Sequence, residues 1–579
     1  MTGRIAGIPA IICGALLIVT ACAPAATPTQ APGPGDGAGR PGAVERTLIV
    51  GIEFEPFTLA ALHPSTSGAS STFIIRPFNA LIDFIDDKGI PSAYLAEALP
   101  RFNTDTWRVF ADGRMETRYT LRPGVTWHDG TALSAEDFAF AFRAASTPNA
   151  GFALSASPPL NLIDDVAAPD DRTIIIRWKQ LYPDAAVLQS GGSRMGLPPF
   201  PRHILEGPLT TQLDTFAIHP YWTREFIGLG PYKLDKWELG SYVEGIAFDK
   251  HVGGRPKIDR IRLTFIDDPN TVLANMQAGA LHIAADALSF EQAIQLKRAW
   301  APTQGGTVVI TATSMRKILF QLRPEYQNQR ALSDLRVRKA LAHAVDKDII
   351  RDTYWDGEVM MLDSIFDPRL AYWPAIDAAT LKYRYDPRES ERLMNEAGYA
   401  RGGDGLYASA SQGRFEAQLR GSQGSSERPI VAASWRQAGF DAVETTLSAA
   451  QARDPEAQSN FPSMSLTATG ADENNQTAMM LTGQIGNPEN RWRGANRAGW
   501  SSAEYDRLVD AFNTTLDPQE RIPQRAAISR LLTEELPAVN MSFNPNSTVY
   551  VAALRGPSNG AVLGTTGLTA WNIVDWELR

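Results

Sequence analysis

Cysteine is almost absent from these 579 residues: there are two, Cys13 and Cys22, both near the N-terminus. Nothing beyond them can form an internal disulfide, which excludes a disulfide scaffold and cysteine-based zinc clusters. The seven histidines are scattered, without the i,i+4 spacing that puts two imidazoles on one helix face, so a metal cage is not indicated. Basic charge is outweighed, 55 Lys and Arg against 64 Asp and Glu, and it is dispersed. The electrostatic footprint of a nucleic-acid binder is therefore missing. No apolar run reaches the roughly 20 residues of a membrane-spanning helix. Catalytic signatures are lacking as well: there is no Gly-x-Ser-x-Gly, His-Glu-x-x-His or P-loop sequence. Ser314-Met-Arg-Lys317 fits the Ser-x-x-Lys pattern, but its companion Lys-Thr-Gly is absent. The expectation is a chain with no catalytic residues, no cofactor and no resident metal.

What is present is a globular composition, 44% hydrophobic and 21% charged, behind an unusual N-terminus. Arg4 is the only charge before an uncharged stretch Ile5 to Thr20, which ends in Val19-Thr20-Ala21-Cys22. This reads as a secretory signal over residues 1–21. Its end resembles a bacterial lipobox, which implies that Cys22 is lipidated and becomes the first mature residue. Between Ala23 and Arg46, sixteen of twenty-four residues are Ala, Pro or Gly. Such a segment cannot bury a core and is expected to act as a flexible tether, residues 22–46 with the lipidated cysteine, holding a folded body at a membrane.

The folded part begins at Thr47-Leu-Ile-Val-Gly-Ile52, a short β-branched run expected to be a buried strand. Further strands are predicted at 118–122, 173–178, 261–266, 307–313, 318–322 and 443–447, and Asp112-Gly113 predicts a turn pairing the segments around Trp107 and Tyr119. Helix starts are marked by capping side chains, which satisfy free amide groups. Ser134 precedes the apolar stripe Phe138, Ala141, Phe142 and Ala145. Asp268-Pro269, Asp386-Pro387 and Asp517-Pro518 each put a carboxylate before a proline at the first helical position, with Gly279 and Gly398 as stops and Glu389 completing a capping box. The pattern is mixed α/β.

Tyr119-Thr-Leu-Arg-Pro-Gly-Val-Thr-Trp-His-Asp-Gly-Thr-Ala-Leu-Ser-Ala-Glu-Asp-Phe138 resembles the signature of bacterial family 5 solute-binding proteins, the peptide- and nickel-type receptors of ABC importers. Gly228-Leu-Gly-Pro-Tyr-Lys233, Pro256 to Asp259 with Gln277-Ala-Gly279, Asp334 to Leu341 with Ala344-Val-Asp-Lys347, Tyr385-Asp-Pro387 with Glu396-Ala-Gly-Tyr399, and Asp517-Pro518 with Arg521 resemble further blocks in the family's order. The resemblance implies a two-lobed periplasmic-binding-protein-like fold of class II, or cluster C, with an extra domain enlarging one lobe. The expected boundaries are 47–78, 219–310 and 541–579 for lobe I, 79–218 for the extra domain, and 311–540 for lobe II. It further implies hinge closure on a ligand and delivery to a permease and its ATPase, from a lipid-anchored, extracytoplasmic monomer. Most of the blocks also read as structural: Arg336 and Arg338 as ion-pairing or capping residues, and the Pro-Gly and Asp-Gly pairs as turns.

In peptide-binding relatives an aspartate in a Gly-Trp-x-Ala-Asp type segment meets the ligand's α-ammonium group. Ala468-Thr-Gly470-Ala-Asp472 stands at that place without the tryptophan, which makes Asp472, with Gly470, the leading ligand contact. The segment Asn487 to Trp500 supplies Arg491 and Arg493 for a ligand carboxylate and Trp492 for stacking; a surface loop pinned by one tryptophan is the competing reading. The ligand is expected to be a peptide, with a nickel complex, haem or a sugar as alternatives, and a non-transporting surface lipoprotein on the same scaffold as the rival role.

Overall fold

Two long strands, Gly306–Phe320 and Ala538–Val551, form the spine of the molecule. They pair antiparallel from Gly306 opposite Val551 to Leu319 opposite Ala538. In this computed structural model the described residues are 46–64, 72–152, 158–188, 196–422, 425, 427–558 and 570–579, all within the compact unit Glu45–Arg579. The expected signal, Cys22 and nearly all of the tether lie outside them.

The spine joins two halves of one ten-stranded sheet. On one side, Ala538–Val551 contacts Ile283–Ala284 through Val549 and Tyr550, and the sheet continues through Thr47–Ile52, Arg260–Phe265, Tyr242–Ala247 and Tyr232–Glu238. On the other, Gly306–Phe320 pairs from Ser314 to Phe320 with Met464–Gly470, followed by the parallel strands Glu416–Gly421 and Asp441–Thr446. The spine pairing shifts register between Ala312 and Ser314, where one half gives way to the other, and again between Arg316 and Lys317. Such bulges bend and twist a ladder locally.

The strands expected at 307–313 and 318–322 are thus one strand of 15 residues. The polar stretch Ser314 to Lys317 reads as a break, but partners distant in sequence bury it. Other expectations fit closely. Thr47–Ile52 and Thr173–Trp178 have the expected bounds, and Trp107–Val109 pairs with Met115–Thr120 around Asp112-Gly113. Asp268, Asp386 and Asp517 each accept main-chain hydrogen bonds at the start of their helices. Glu389 departs from its expected role: its carboxylate pairs with Arg392 on the same helix.

A separate four-stranded sheet, Trp107–Val109, Met115–Thr120, Thr173–Trp178 and Ile163–Ala167, has its own core around Tyr119, Trp127 and Ile176. Helix Ala135–Ser146 attaches it to the larger sheet. Ala135, Phe138 and Ala139 enter the smaller core, whereas Phe140, Ala141, Ala144 and Ala145 enter the core under Thr47–Ile52. Burial of Phe138 and Phe140 contributes about 1.5–3 kcal/mol each, so this helix fixes the smaller sheet on both flanks.

The signature blocks serve this scaffold. Gly228 N donates to His128 Nδ1 at 3.1 Å, and His128 Nε2 then donates to Gly230 O at 2.9 Å. Burial pushes the His128 imidazole down to about 4, so it stays neutral and keeps that tautomer. A Cβ on Gly228 or Gly230 would lie 2.1 Å or 2.3 Å from the Phe78 main chain, an approach only glycine permits. Arg336 clamps Asp334 and the Glu396 carbonyl, and Arg338 donates to the carbonyls of Leu332, Glu535 and Leu536, which confirms their structural reading.

Candidate functional site

Strand Met464–Gly470 ends where the spine changes halves, Gly470 lying opposite Ser314. Helix Glu473–Ala478 starts immediately afterwards, with Asp472 as its cap. The Asp472 carboxylate accepts from Asn475 N at 2.9 Å and from Asn475 Nδ2. It is buried, and no Lys, Arg or His among the described residues lies within ion-pair distance of it. Burial pushes its carboxyl above the usual range, against the two hydrogen bonds from Asn475, and the Glu473 charge adds to the rise. Gly470 belongs to the same turn: a Cβ there would meet Asn475 Nδ2 at 3.0 Å, and its carbonyl accepts from Gln476.

The next residue is treated in the opposite way. Glu473 accepts from Arg525, whose Nη2 lies 2.9 Å away, and Arg521 Nη2 stands at 3.9 Å. Arg521 also reaches Asp184 at 3.3 Å, in the segment following Thr173–Trp178. This ionic chain ties the smaller sheet's region to helix Pro518–Glu535 beside Asp472. Leu516, just before that helix, packs against the smaller sheet's core.

Lys317 meets helix Glu473–Ala478 at Gln476, one turn after Asp472. Its ammonium donates to Gln476 Oε1 and faces Met479 Sδ at 3.8 Å, with no carboxylate in reach. Burial alone pushes it down to about 7. Ser314 and Lys317 cannot form a catalytic pair, because residues three apart on a strand project from opposite faces.

The spine itself carries a recess of about 120 Å³ at the change of halves, between Ile310, Thr311 and Ala312 on one strand, Phe543 and Pro545 on the other, and Met360. Arg491 and Trp492 lie elsewhere. Their turn folds over the far end of Gly306–Phe320, where Trp492 meets the Tyr326 ring edge-on at 6.0 Å and Arg323 lies 4.5 Å over Tyr326. Arg491 and Arg493 are exposed. The structure brings Gly470 and Asp472 together and sets Arg491 and Trp492 apart from them. Arg420, a buried cation, was missed from sequence, and Lys317, another, was noted there only as the lysine of a Ser-x-x-Lys pattern. Their position in strands flanked by apolar residues, Ile318 and Leu319 or Ala417 and Leu419, was the available signal.

Among the described residues no helix is long and apolar enough to cross a membrane, and no group of three or more His, Cys, Asp or Glu side chains is placed to hold a metal. Two half-sheets joined by crossing strands, with a buried acid beside the crossover, make up the larger sheet. The family model for bacterial extracellular solute-binding proteins, family 5 Middle, matches residues 98–489, and the chain belongs to that family. It is 22% identical over 522 residues to the oligopeptide-binding protein AppA of Bacillus subtilis, with 88% of each chain covered. A Brucella ovis protein named as a putative ABC transporter peptide-binding protein is 25% identical over 338 residues; that match spans 58% of the relative's length and 58% of this chain. Among solved structures, Bacillus subtilis AppA in complex with a nonapeptide superposes with a TM-score of 0.66 at 21% identity, covering 92% of this chain and 99% of that one. NikZ of Campylobacter jejuni in complex with Ni(L-His) gives 0.69 at 21% identity, covering 92% and 100%. These neighbours establish the two-lobed mixed α/β fold.

Proposed function

We propose that the chain is the substrate-binding receptor of an ABC importer and that its ligand is a peptide with a free amino terminus. It captures that ligand by closure of two lobes, 47–78 with 219–310 and 541–579 against 311–540, with 79–218 as an added domain, and it catalyses nothing itself. The observation that carries this reading is Asp472: a buried carboxylate with no cation in ion-pair reach among the described residues, at the end of a strand beside the crossover. A desolvated carboxylate is costly unless a positive group compensates it, and a peptide ammonium would do so with charge-assisted hydrogen bonds. Family membership and the resemblance to oligopeptide-binding AppA support the same class of ligand.

Asp472→Asn keeps a capping side chain and removes the charge. It is expected to weaken binding of free-amino peptides by about 10- to 100-fold and to leave N-acetylated peptides little changed, measured by calorimetric titration. Equal affinities in variant and parent would reject the anchoring role.

Delivery from the membrane surface completes the proposal. Cys22 carries the lipid, residues 23–46 form the tether, and tethering raises the receptor's effective concentration at its permease. Membrane fractionation checks this: Cys22→Ser should move the protein from the pellet to the soluble fraction.

A further inference from the structure

Asp184 and Arg521 meet from opposite halves of the molecule. Asp184 lies in a segment pinned to the smaller sheet: Tyr119 Oη donates to Ala185 O at 2.9 Å, and Leu188 N donates to the Asp83 carboxylate at 2.6 Å. Helix Ala135–Ser146 roots that sheet in the core under Thr47–Ile52, so Asp184 belongs with this half. Arg521 belongs with the other. Its helix, Pro518–Glu535, buries Ile528, Leu531 and Leu532 in a core shared with Met315 and Leu319 of the spine. Between the two, Arg521 Nη1 stands 3.3 Å from the Asp184 carboxylate.

Lys297 with Glu358 and Arg298 with Asp356 also join the halves. Helix Phe290–Trp300 leads almost directly into the spine strand at Gly306, so these pairs sit where the chain crosses. Their cations are 45% and 69% exposed, and exposed pairs contribute little. The Arg521 side chain is only 7% exposed, which makes its contact the one whose loss counts.

Arg521 is also equipped to let go. Its guanidinium lies 4.1 Å over the Phe512 ring, which holds it in place from its own half. Nη2 stands 3.9 Å from Glu473, a carboxylate of that same half which Arg525 engages as well. A buried arginine with a single partner is left uncompensated when that partner withdraws. Arg521 keeps Glu473, and Asp184 is already open to water on one side. The Asp184 carboxylate makes no hydrogen bond within its own half among the described residues, so nothing there depends on it. Glu473, in turn, is the first residue of the helix that Asp472 caps.

We propose that Arg521 is a latch between the two halves: it clasps Asp184 when they close and falls back on Glu473 when they part. This rests on the lobe closure proposed above. A ligand that favours the closed form and a latch that favours it reinforce each other, because both bias one equilibrium. Since Glu473 follows Asp472 directly, the latch also draws the half that carries Asp184 towards the helix start at which Asp472 stands.

Small-angle X-ray scattering of the full chain, dialysed and without added ligand, reads the opening. Asp184→Asn and Arg521→Gln are each expected to shift the radius of gyration above the parent's, with the closed-to-open ratio falling about 10-fold, while a cooperative melting transition is retained. A radius equal to the parent's in Asp184→Asn overturns the latch. Asp184→Lys separates that failure from a failure of closure, because it sets a further cation against Arg521 and Arg525. If it expands the chain and Asp184→Asn does not, the halves part but Arg521 does not hold them, and closure stands without the latch. If neither expands it, the contact is fixed and closure falls with the latch. Should Arg521→Gln fail to fold, Asp184→Asn decides alone, since its carboxylate supports nothing in its own half.

Discussion

The two halves of the ten-stranded sheet handle positive charge differently. In the half built on Thr47–Ile52, cations stand at the surface beside carboxylates: Arg255 between Asp249 and Asp259, Lys257 against Glu577, Arg262 against Glu244. In the half built on Met464–Gly470, Lys317, Arg323, Arg338 and Arg420 are each less than one-tenth exposed, and none has a carboxylate within ion-pair distance among the described residues. Arg323 and Arg338 are there for architecture, since every nitrogen of both guanidiniums donates, to main-chain carbonyls or, for Arg323 Nε, to Gln321. Lys317 and Arg420 are not used up. Both lie in the half of the sheet that also carries Asp472.

The sharpest way to break this comparison is to disturb an ion pair in each half. Arg316 donates to Glu427, which is 2% exposed. Removing one partner of a buried pair leaves the other uncompensated, so Glu427→Gln is expected to cost about 3–5 kcal/mol. The matching change in the other half, Glu244→Gln opposite Arg262, affects a partly exposed pair and is expected to cost less than about 1 kcal/mol. Chemical denaturation of both variants decides; equal losses would mean that the two halves do not differ in the way their burial indicates.

The same contrast explains what the chain discloses before it folds. Caps such as Asp268 and Asp517 and strands such as Thr173–Trp178 are local, set by side chains within a few residues, and they were readable. The single strand across Ser314 to Lys317 was not. Its charges are buried by Glu427 and Gln476, more than a hundred residues away, and an isolated reading takes them for a solvent-facing break. Asp472 was legible through resemblance, although its capping role came only with the structure. Arg420 was hidden for the same reason as Lys317: its contacts, Gln458 O and the Phe461 ring, are some forty residues away.

Lys317 gives the smaller and more specific prediction, because it neighbours Arg316 on the same strand but faces the other way. Arg316 has a carboxylate; Lys317 has only Gln476 and the Met479 sulfur. Replacing an unpaired buried ammonium by an apolar chain of similar volume removes a desolvation cost, so Lys317→Met is expected to be neutral or stabilising by about 1–2 kcal/mol at pH 6. The pH dependence follows from the depressed value. Below about 7 both folded and unfolded chains hold the proton, and the folded state bears the full cost of a buried charge. Between about 7 and the ordinary lysine value of 10.5 the unfolded chain keeps a proton that the folded chain has released, so stability rises with pH, at most by about 1.4 kcal/mol per unit. Above that window both states are neutral at this site and the rise ends. Denaturation midpoints of the parent should therefore gain on those of Lys317→Met from pH 7 to 10, and parallel pH profiles for the two proteins would show that Lys317 finds a compensating charge in the folded chain.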